Sequence, residues 1–368
     1  MRQWPSDPPE PPPFPASSLL SGIGFSGRCA SYTDADTWYP SWAADDYMYS
    51  PWTDGSVGPW SSYSHGRLAM TGRAKIIGPD PLHLEVEPLG TLMADPWPYE
   101  HRYPAGSLVY EGTWYYGTYC LDEPHGENIL GPLVGFHMSE DAGNSWQAPA
   151  TTPAEPLFAE SAKYGGAVRF GAPHFVDFGK NMEHSPDDCA YLVGHGNTRP
   201  LRRRTWISGD AIFLARVRPE PATINSREAW EFFAGFELGA PKWARDVKAA
   251  APVVEWPGHA GNVSVTWFPG LGRFIMAITD GGAAIGPMSS YLLEAPKLEG
   301  PWHIVSYLRH FGTQAYFLNF PSRFISEDGR VAWLCYSANY ANRYDGADLV
   351  EDPPGSRYAM CLQEVHFL

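Results

Sequence analysis

Asn262-Val-Ser-Val-Thr-Trp-Phe268, then Pro269-Gly-Leu-Gly272, then Arg273-Phe-Ile-Met-Ala-Ile278 is the stretch on which the fold turns. Two runs of β-branched, aromatic and aliphatic residues flank a Pro/Gly turn, which is the pattern of a β-hairpin. The same grammar occurs in four other places. Asp36 to Ala44 turns at Asp45-Asp46 into Tyr47 to Trp52. Tyr103 to Tyr110 turns at Glu111-Gly112 into Thr113 to Tyr119. Ala172 to Phe178 passes through a longer turn near Pro186-Asp187 into Ala190 to His195. Pro321 to Ser326 turns at Asp328-Gly329 into Arg330 to Tyr336. The hairpins begin roughly 60–90 residues apart, a spacing suited to large four-stranded blades. Leu133 to Met138, Ile212 to Val217 and Tyr291 to Ala295 supply further strands of the blades. The expectation is an all-β protein, a five-bladed β-propeller with four-stranded antiparallel blades. Residues 31–368 would form one propeller domain behind an irregular Pro-rich arm over residues 1–30. The C-terminal strand from Ala359 to Phe367 would close the ring beside the first blade.

Composition agrees. Of 368 residues, 44% are hydrophobic, enough for a sizeable core, and 37 Gly with 36 Pro punctuate many short elements rather than long helices. A net charge of −15 repels phosphate backbones, so nucleic acid is not an expected partner. The short basic cluster Arg202-Arg203-Arg204 reads as a solvated loop, with contact to an acidic substrate group as the other reading. No apolar run is long enough to span a membrane, and no signal peptide is evident. The chain is thus expected to be cytoplasmic, or a secreted protein without its signal. Five cysteines, Cys29, Cys120, Cys189, Cys335 and Cys361, are odd in number and unpaired in spacing, against a disulfide framework or a zinc site.

Ser139-Glu-Asp141-Ala-Gly143-Asn-Ser145-Trp146 resembles the Asp-box of sialidase-like propellers. Asp caps a tight turn, Gly takes a positive φ, and Trp packs between sheets, so the motif is structural. Glu299-Gly-Pro-Trp302 resembles a second blade turn of propeller glycosidases.

The innermost strands of a propeller line its channel, and polar residues at their entry ends have no packing reason to be there. Asp36 opens the first strand of blade I and Asp54 closes the second, almost opposite each other across the hairpin. Two carboxylates at one end of a hairpin are the equipment of glycosidic hydrolysis. Asp45 and Asp46 sit in the turn and read as structural. Trp38, Tyr39, Trp42 and Trp52 are expected to stack on sugar faces and raise one carboxyl pKa. The same register places Arg102 and Tyr103 at the entry of blade II. It places His174, His195 and Asp210 on blade III, with Asn262 and Asp280 on blade IV, all as substrate-binding candidates. Glu160 and Glu183, in loops near blade III, are candidates for a third acid.

The stretch from Asp36 through Tyr-Ser-Pro-Trp-Thr-Asp54-Gly55 resembles the first blade of five-bladed propeller glycoside hydrolases. The nearest group is the endo-D-arabinanase type with its domain of unknown function 4185, within the fold shared by arabinanases and β-xylosidases. The resemblance implies catalytic roles for Asp36 and Asp54 and a glycosidase acting on a polysaccharide or oligosaccharide, at an arabinofuranosyl-like sugar. Two other readings fit the residues. A polysaccharide lyase would use His174, His195 or Tyr103 as base, with Arg102 neutralising a uronate. A non-catalytic glycan-binding propeller would use the aromatics alone. A carbohydrate is the expected partner in each. No motif demands a cofactor, although converging His and Asp side chains are compatible with a structural divalent cation at the channel centre.

Overall fold

The computed structural model describes residues 1–123, 128–199, 205–281 and 286–368. They form a five-bladed β-propeller of antiparallel sheets. Blade I holds Asp34–Asp36, Ser41–Trp42, Met48–Val57, Trp60–Ser62, Met70–Ile77 and Glu85–Met93. Blade II holds His101–Tyr110, Thr113–Asp122 and Ile129–Ser139; blade III runs from Gly171–Phe175 through Ala190–Gly196 and Ala211–Val217 to three outer strands. Blade IV is Val263–Phe268, Arg273–Asp280, Ser289–Ala295 and His303–Leu308, a four-stranded meander. Blade V is Tyr316–Asn319, Val331–Ser337, Met360–Phe367, Ile23–Tyr32 and Arg2–Gln3. Four strands is therefore the rough norm, with three to six in individual blades.

The turns follow their chemistry. Tyr110 pairs with Thr113 across Glu111 (φ 47°) and Gly112 (φ 78°), a two-residue connection with both central residues left-handed. Asp141 ties the 139–146 turn: its carboxylate accepts from Ser145 N (2.8 Å), Ser145 Oγ (2.6 Å) and Ser139 Oγ (2.8 Å). These donors hold its pKa down near about 2. Trp146 meets Trp114 and Tyr116 of blade II and lies under the Arg73 guanidinium of blade I, so it fills the seam between the two sheets. All five cysteines are free thiols.

Three expectations change. The domain start expected at residue 31 falls inside the strand Ile23–Tyr32, which pairs with Met360–Phe367 from the other end of the chain. Residues before it also pack on the ring: Trp4 is in the core with Phe25 and Phe311, and its Nε1 donates to Arg309 O. The C-terminal strand does help close the ring, but as the third strand of blade V, with the N-terminal strand outside it. In the fifth hairpin the innermost strand is Tyr316–Asn319, five residues earlier than Pro321, while 322–324 form a 3-10 turn. Proline has no N–H for a ladder, so the strand stops before Pro321.

Candidate active site

Asp36 and Asp54 reach one pocket because the hairpin of blade I is bulged. Asp36 pairs with Thr53 and Asp34 with Ser56, so one residue on the first strand faces two on the second, Asp54 and Gly55. In an unbroken ladder the residue after Thr53 would point to the sheet face opposite Asp36. The bulge rotates it back: Asp54 takes a left-handed φ of 49°, and its carboxylate joins that of Asp36 in lining the pocket. Gly55 makes this possible. A Cβ there would lie 1.9 Å from the Asp34 carbonyl oxygen, so only glycine allows the strands to close on the bulge.

The two carboxyl groups are buried and differently held. Asp36 Oδ2 accepts from Tyr316 OH (2.9 Å) and Oδ1 from Thr37 Oγ1 (2.9 Å). Burial first, and the neighbouring Asp54 second, push its pKa up to about 8. Asp54 Oδ1 accepts from Ser64 N (2.6 Å) and Oδ2 from Ser64 Oγ (2.8 Å). Burial raises the Asp54 pKa too, but the two Ser64 donors and the nearby His101 and His65 oppose the rise. Both carboxyl groups are thus pushed up by burial, with the neighbouring acid adding to the rise at Asp36 and the Ser64 donors opposing it at Asp54.

Around the pair stand Tyr103, Tyr119 and Asn128 from blade II, Trp206 from blade III, and Phe317 and Tyr340 from blade V. Tyr103 stacks on Tyr119 and on His101, and Glu123 Oε2 lies 2.8 Å from His101 Nε2. Tyr344 OH donates to Asp54 O (3.3 Å) and lies 3.0 Å from Tyr358 OH, fixing the short helix Tyr340–Tyr344 over the pocket. Among the described residues no group of three or more His, Cys, Asp or Glu side chains is arranged to hold a metal ion.

A family model described as a domain of unknown function, DUF4185, matches residues 116–344. The chain belongs to this family. The match begins after blade I, so it takes in Tyr119, Trp206, Phe317 and Tyr340 but neither aspartate. No curated protein matches the DUF4185 chain. Among solved structures it is similar to a candidate hydrolase from Bacteroides ovatus (TM-score 0.53, 11% identity, covering 96% of this chain and 93% of that one). It is similar to a GH43_1 enzyme from Xanthomonas citri (TM-score 0.51, 13% identity, 91% and 89%). A protein of unknown function from Dyadobacter fermentans is comparable (TM-score 0.51, 11% identity, 95% and 100%). At such identities the likeness is one of fold.

Of the residues picked from sequence, Asp36, Asp54 and Tyr103 come together at this pocket. The others lie elsewhere. Trp38 and Trp52 are core residues, with Trp38 Nε1 donating to Ala35 O. Trp42 is at the turn end of the hairpin, where its Nε1 donates to Asp46 and the Lys180 and Arg323 cations lie over its ring. Tyr39 and His174 stack on each other and line a separate recess of the channel. Burial, and then the neighbouring His195, hold the His174 pKa well below the usual value, and neither of its ring nitrogens is hydrogen-bonded. His195 Nε2 is 2.9 Å from Thr205 O, and burial brings its pKa down to about 4. Arg102 turns into blade II, donating to Thr118 Oγ1 and Asp95 O. Asp210 accepts from Gly258 N, and Asp280 accepts from Tyr307 OH and lies 2.9 Å from His259 Nδ1. Asn262 acts one step back: its Oδ1 accepts from Phe317 N and its Nδ2 donates to Trp206 O. Glu160 is buried against Arg169, and Glu183 accepts from Lys180 N in an exposed turn. Arg202, Arg203 and Arg204 lie outside the described residues.

The common reason is that strand-entry position alone does not say to which side of the sheet a side chain turns. Five pocket residues, Tyr119, Asn128, Trp206, Phe317 and Tyr340, were missed for a related reason. Tyr119 sits deep in a strand that reads as plain core, Asn128 and Trp206 lie between strands, and Tyr340 opens the short helix. Phe317 and the Asp36 partner Tyr316 belong to the innermost strand of blade V, which the sequence reading placed after them. A search for the aromatic run Tyr316-Phe-Leu-Asn-Phe320 as a strand would have found both.

Proposed function

We propose that this protein is a glycoside hydrolase acting on a neutral polysaccharide or oligosaccharide, at an arabinofuranosyl-like residue. The observation that carries the reading is the buried carboxyl pair on the bulge of blade I, Asp36 and Asp54 lining one aromatic pocket, with the Asp36 pKa pushed up to about 8. Asp36 would protonate the leaving glycosidic oxygen. Asp54, fixed by two Ser64 donors, would attack the anomeric carbon or activate a water against it. Tyr103, Trp206 and Tyr340 supply flat faces for a sugar ring. Two carboxylates at the floor, with Arg102 turned away from them, favour a neutral sugar over a uronate, and so a hydrolase over a lyase. Sharing its fold with a GH43_1 enzyme is consistent with this reading.

The test is a screen of polysaccharides and aryl glycosides, with arabinofuranosides included, against the parent, Asp36→Asn and Asp54→Asn. Each variant should lose about 10²–10⁴-fold in kcat/KM while still unfolding in a single cooperative thermal transition. Activity unchanged in both removes the catalytic assignment, and an unsaturated product absorbing in the ultraviolet replaces hydrolysis by elimination.

A further inference from the structure

The seam between blades II and III carries a cleft of about 560 Å³, in the size range of ligand sites. Its wall is the segment 157–166, which runs antiparallel along the last strand of blade II: Leu157 N donates to Val134 O and Ala162 N to Leu130 O. The segment therefore ends at the start of that strand, beside Asn128, which lines the acid pocket. Tyr99 in the cleft and Tyr103 in the acid pocket likewise stand four residues apart at the entry of blade II, at most about 14 Å along the chain. Cleft and pocket thus draw on neighbouring ends of the blade II strands.

The cleft is built around a presented aromatic ring. Gly165 N donates to Ala162 O and Gly166 N to Ser161 O, closing a tight turn with Lys163 and Tyr164 at its tip. Lys163 Nζ is tied down by Pro98 O (2.6 Å) and Asp122 Oδ1 (3.0 Å). Tyr164 is 67% exposed, with its ring edge-on to Tyr99 at 6.2 Å. A large aromatic side chain held in water by a pinned turn gains nothing for the core. Thr198 and Lys248 also line the cleft, as does Glu160, whose carboxylate accepts from Arg169 N and Phe170 N. An exposed aromatic face in a cleft that also holds a hydroxyl and an ammonium side chain suits a sugar ring, with apolar C–H on its faces and hydroxyls on its edges.

We infer that this cleft is a second glycan subsite, in which Tyr164 stacks on a sugar of the same chain several residues from the bond cleaved at Asp36 and Asp54. The inference rests on the proposed hydrolase reading and extends it, making a polymer rather than a short glycoside the preferred substrate. In the parent background, Tyr164→Ala should raise KM for arabinan about tenfold and leave kcat/KM for an aryl arabinofuranoside unchanged, with Tyr164→Trp near the parent value. Binding is read separately on the Asp36→Asn protein with arabinofuranosyl oligosaccharides of increasing length. Affinity should step up once the chain is long enough to reach the cleft, and the step should vanish in the Asp36→Asn/Tyr164→Ala protein. An unchanged KM for arabinan, or an equal loss on the short and long substrates, overturns the subsite and leaves the hydrolase standing. Binding with a Tyr164-dependent step but no turnover by the parent overturns the hydrolase and keeps the subsite. No binding at any length overturns both.

Discussion

At the residue scale, Asp36 is a stability cost held in place by its surroundings. Its folded pKa, about 8, lies above that of an unfolded aspartate. Between about pH 4 and 8 the folded chain therefore binds more protons at this site than the unfolded chain, so its contribution to stability is greatest at the acid end and declines as pH rises. Asp36→Asn removes the buried charge. The variant should melt higher than the parent at pH 8–9, and the gap should close toward pH 5; scanning calorimetry across that range checks it. In activity the sign is similar: the rate should fall as pH rises through about 8, when Asp36 loses the proton it donates. Tyr316 donates to the ionised form of Asp36 and so lowers its pKa. Tyr316→Phe should therefore move the alkaline limb of the pH–rate profile upward, which a change in folding alone would not do.

At the element scale, the bulge of blade I is the device that turns a structural hairpin into a site. It inserts one residue, strains Asp54 into a left-handed φ, and leaves Gly55 pressed on Asp34 O. Gly55→Ala should break that approach, cost about 1–3 kcal/mol of stability, and abolish activity even where the protein remains folded. Urea unfolding together with the glycoside assay separates the two effects. The reverse case is Asp45, in the turn of the same hairpin, which accepts from Tyr47 N and Tyr49 OH. Asp45→Asn should leave kcat/KM within about twofold of the parent, because no atom of it reaches the pocket.

At the scale of the whole molecule, the ring is closed by strands from both ends of the chain. Ile23–Tyr32 covers the edge of Met360–Phe367, and Trp4, Leu20, Ile23 and Phe25 complete the core beneath. Deleting residues 1–32 should expose a long apolar edge strand and give aggregation rather than a smaller stable propeller. Size-exclusion chromatography of the truncated chain would show it, and a monodisperse monomer of normal melting behaviour would refute it. The closure also matters for the site, since Tyr316, Phe317 and Tyr340 all belong to the blade that it completes.

The number of blades, their antiparallel hairpins and the two carboxylates at the pocket were legible in the sequence. All three rest on local signals: alternating apolar runs, turn residues, and acids at strand ends where packing does not call for them. Which partners join those carboxylates was not legible, because it depends on register and on distant strands. A one-residue slip beside Thr53 brings Asp54 to Asp36, and Arg102, one residue from Tyr103, turns into its own blade. Tyr119, Trp206, Phe317 and Tyr340 are brought there by three different blades, across separations that no local pattern encodes. The sequence by itself determined a five-bladed ring with an acid pair; only the tertiary structure decided which walls enclose that pair and which donors hold each of its members.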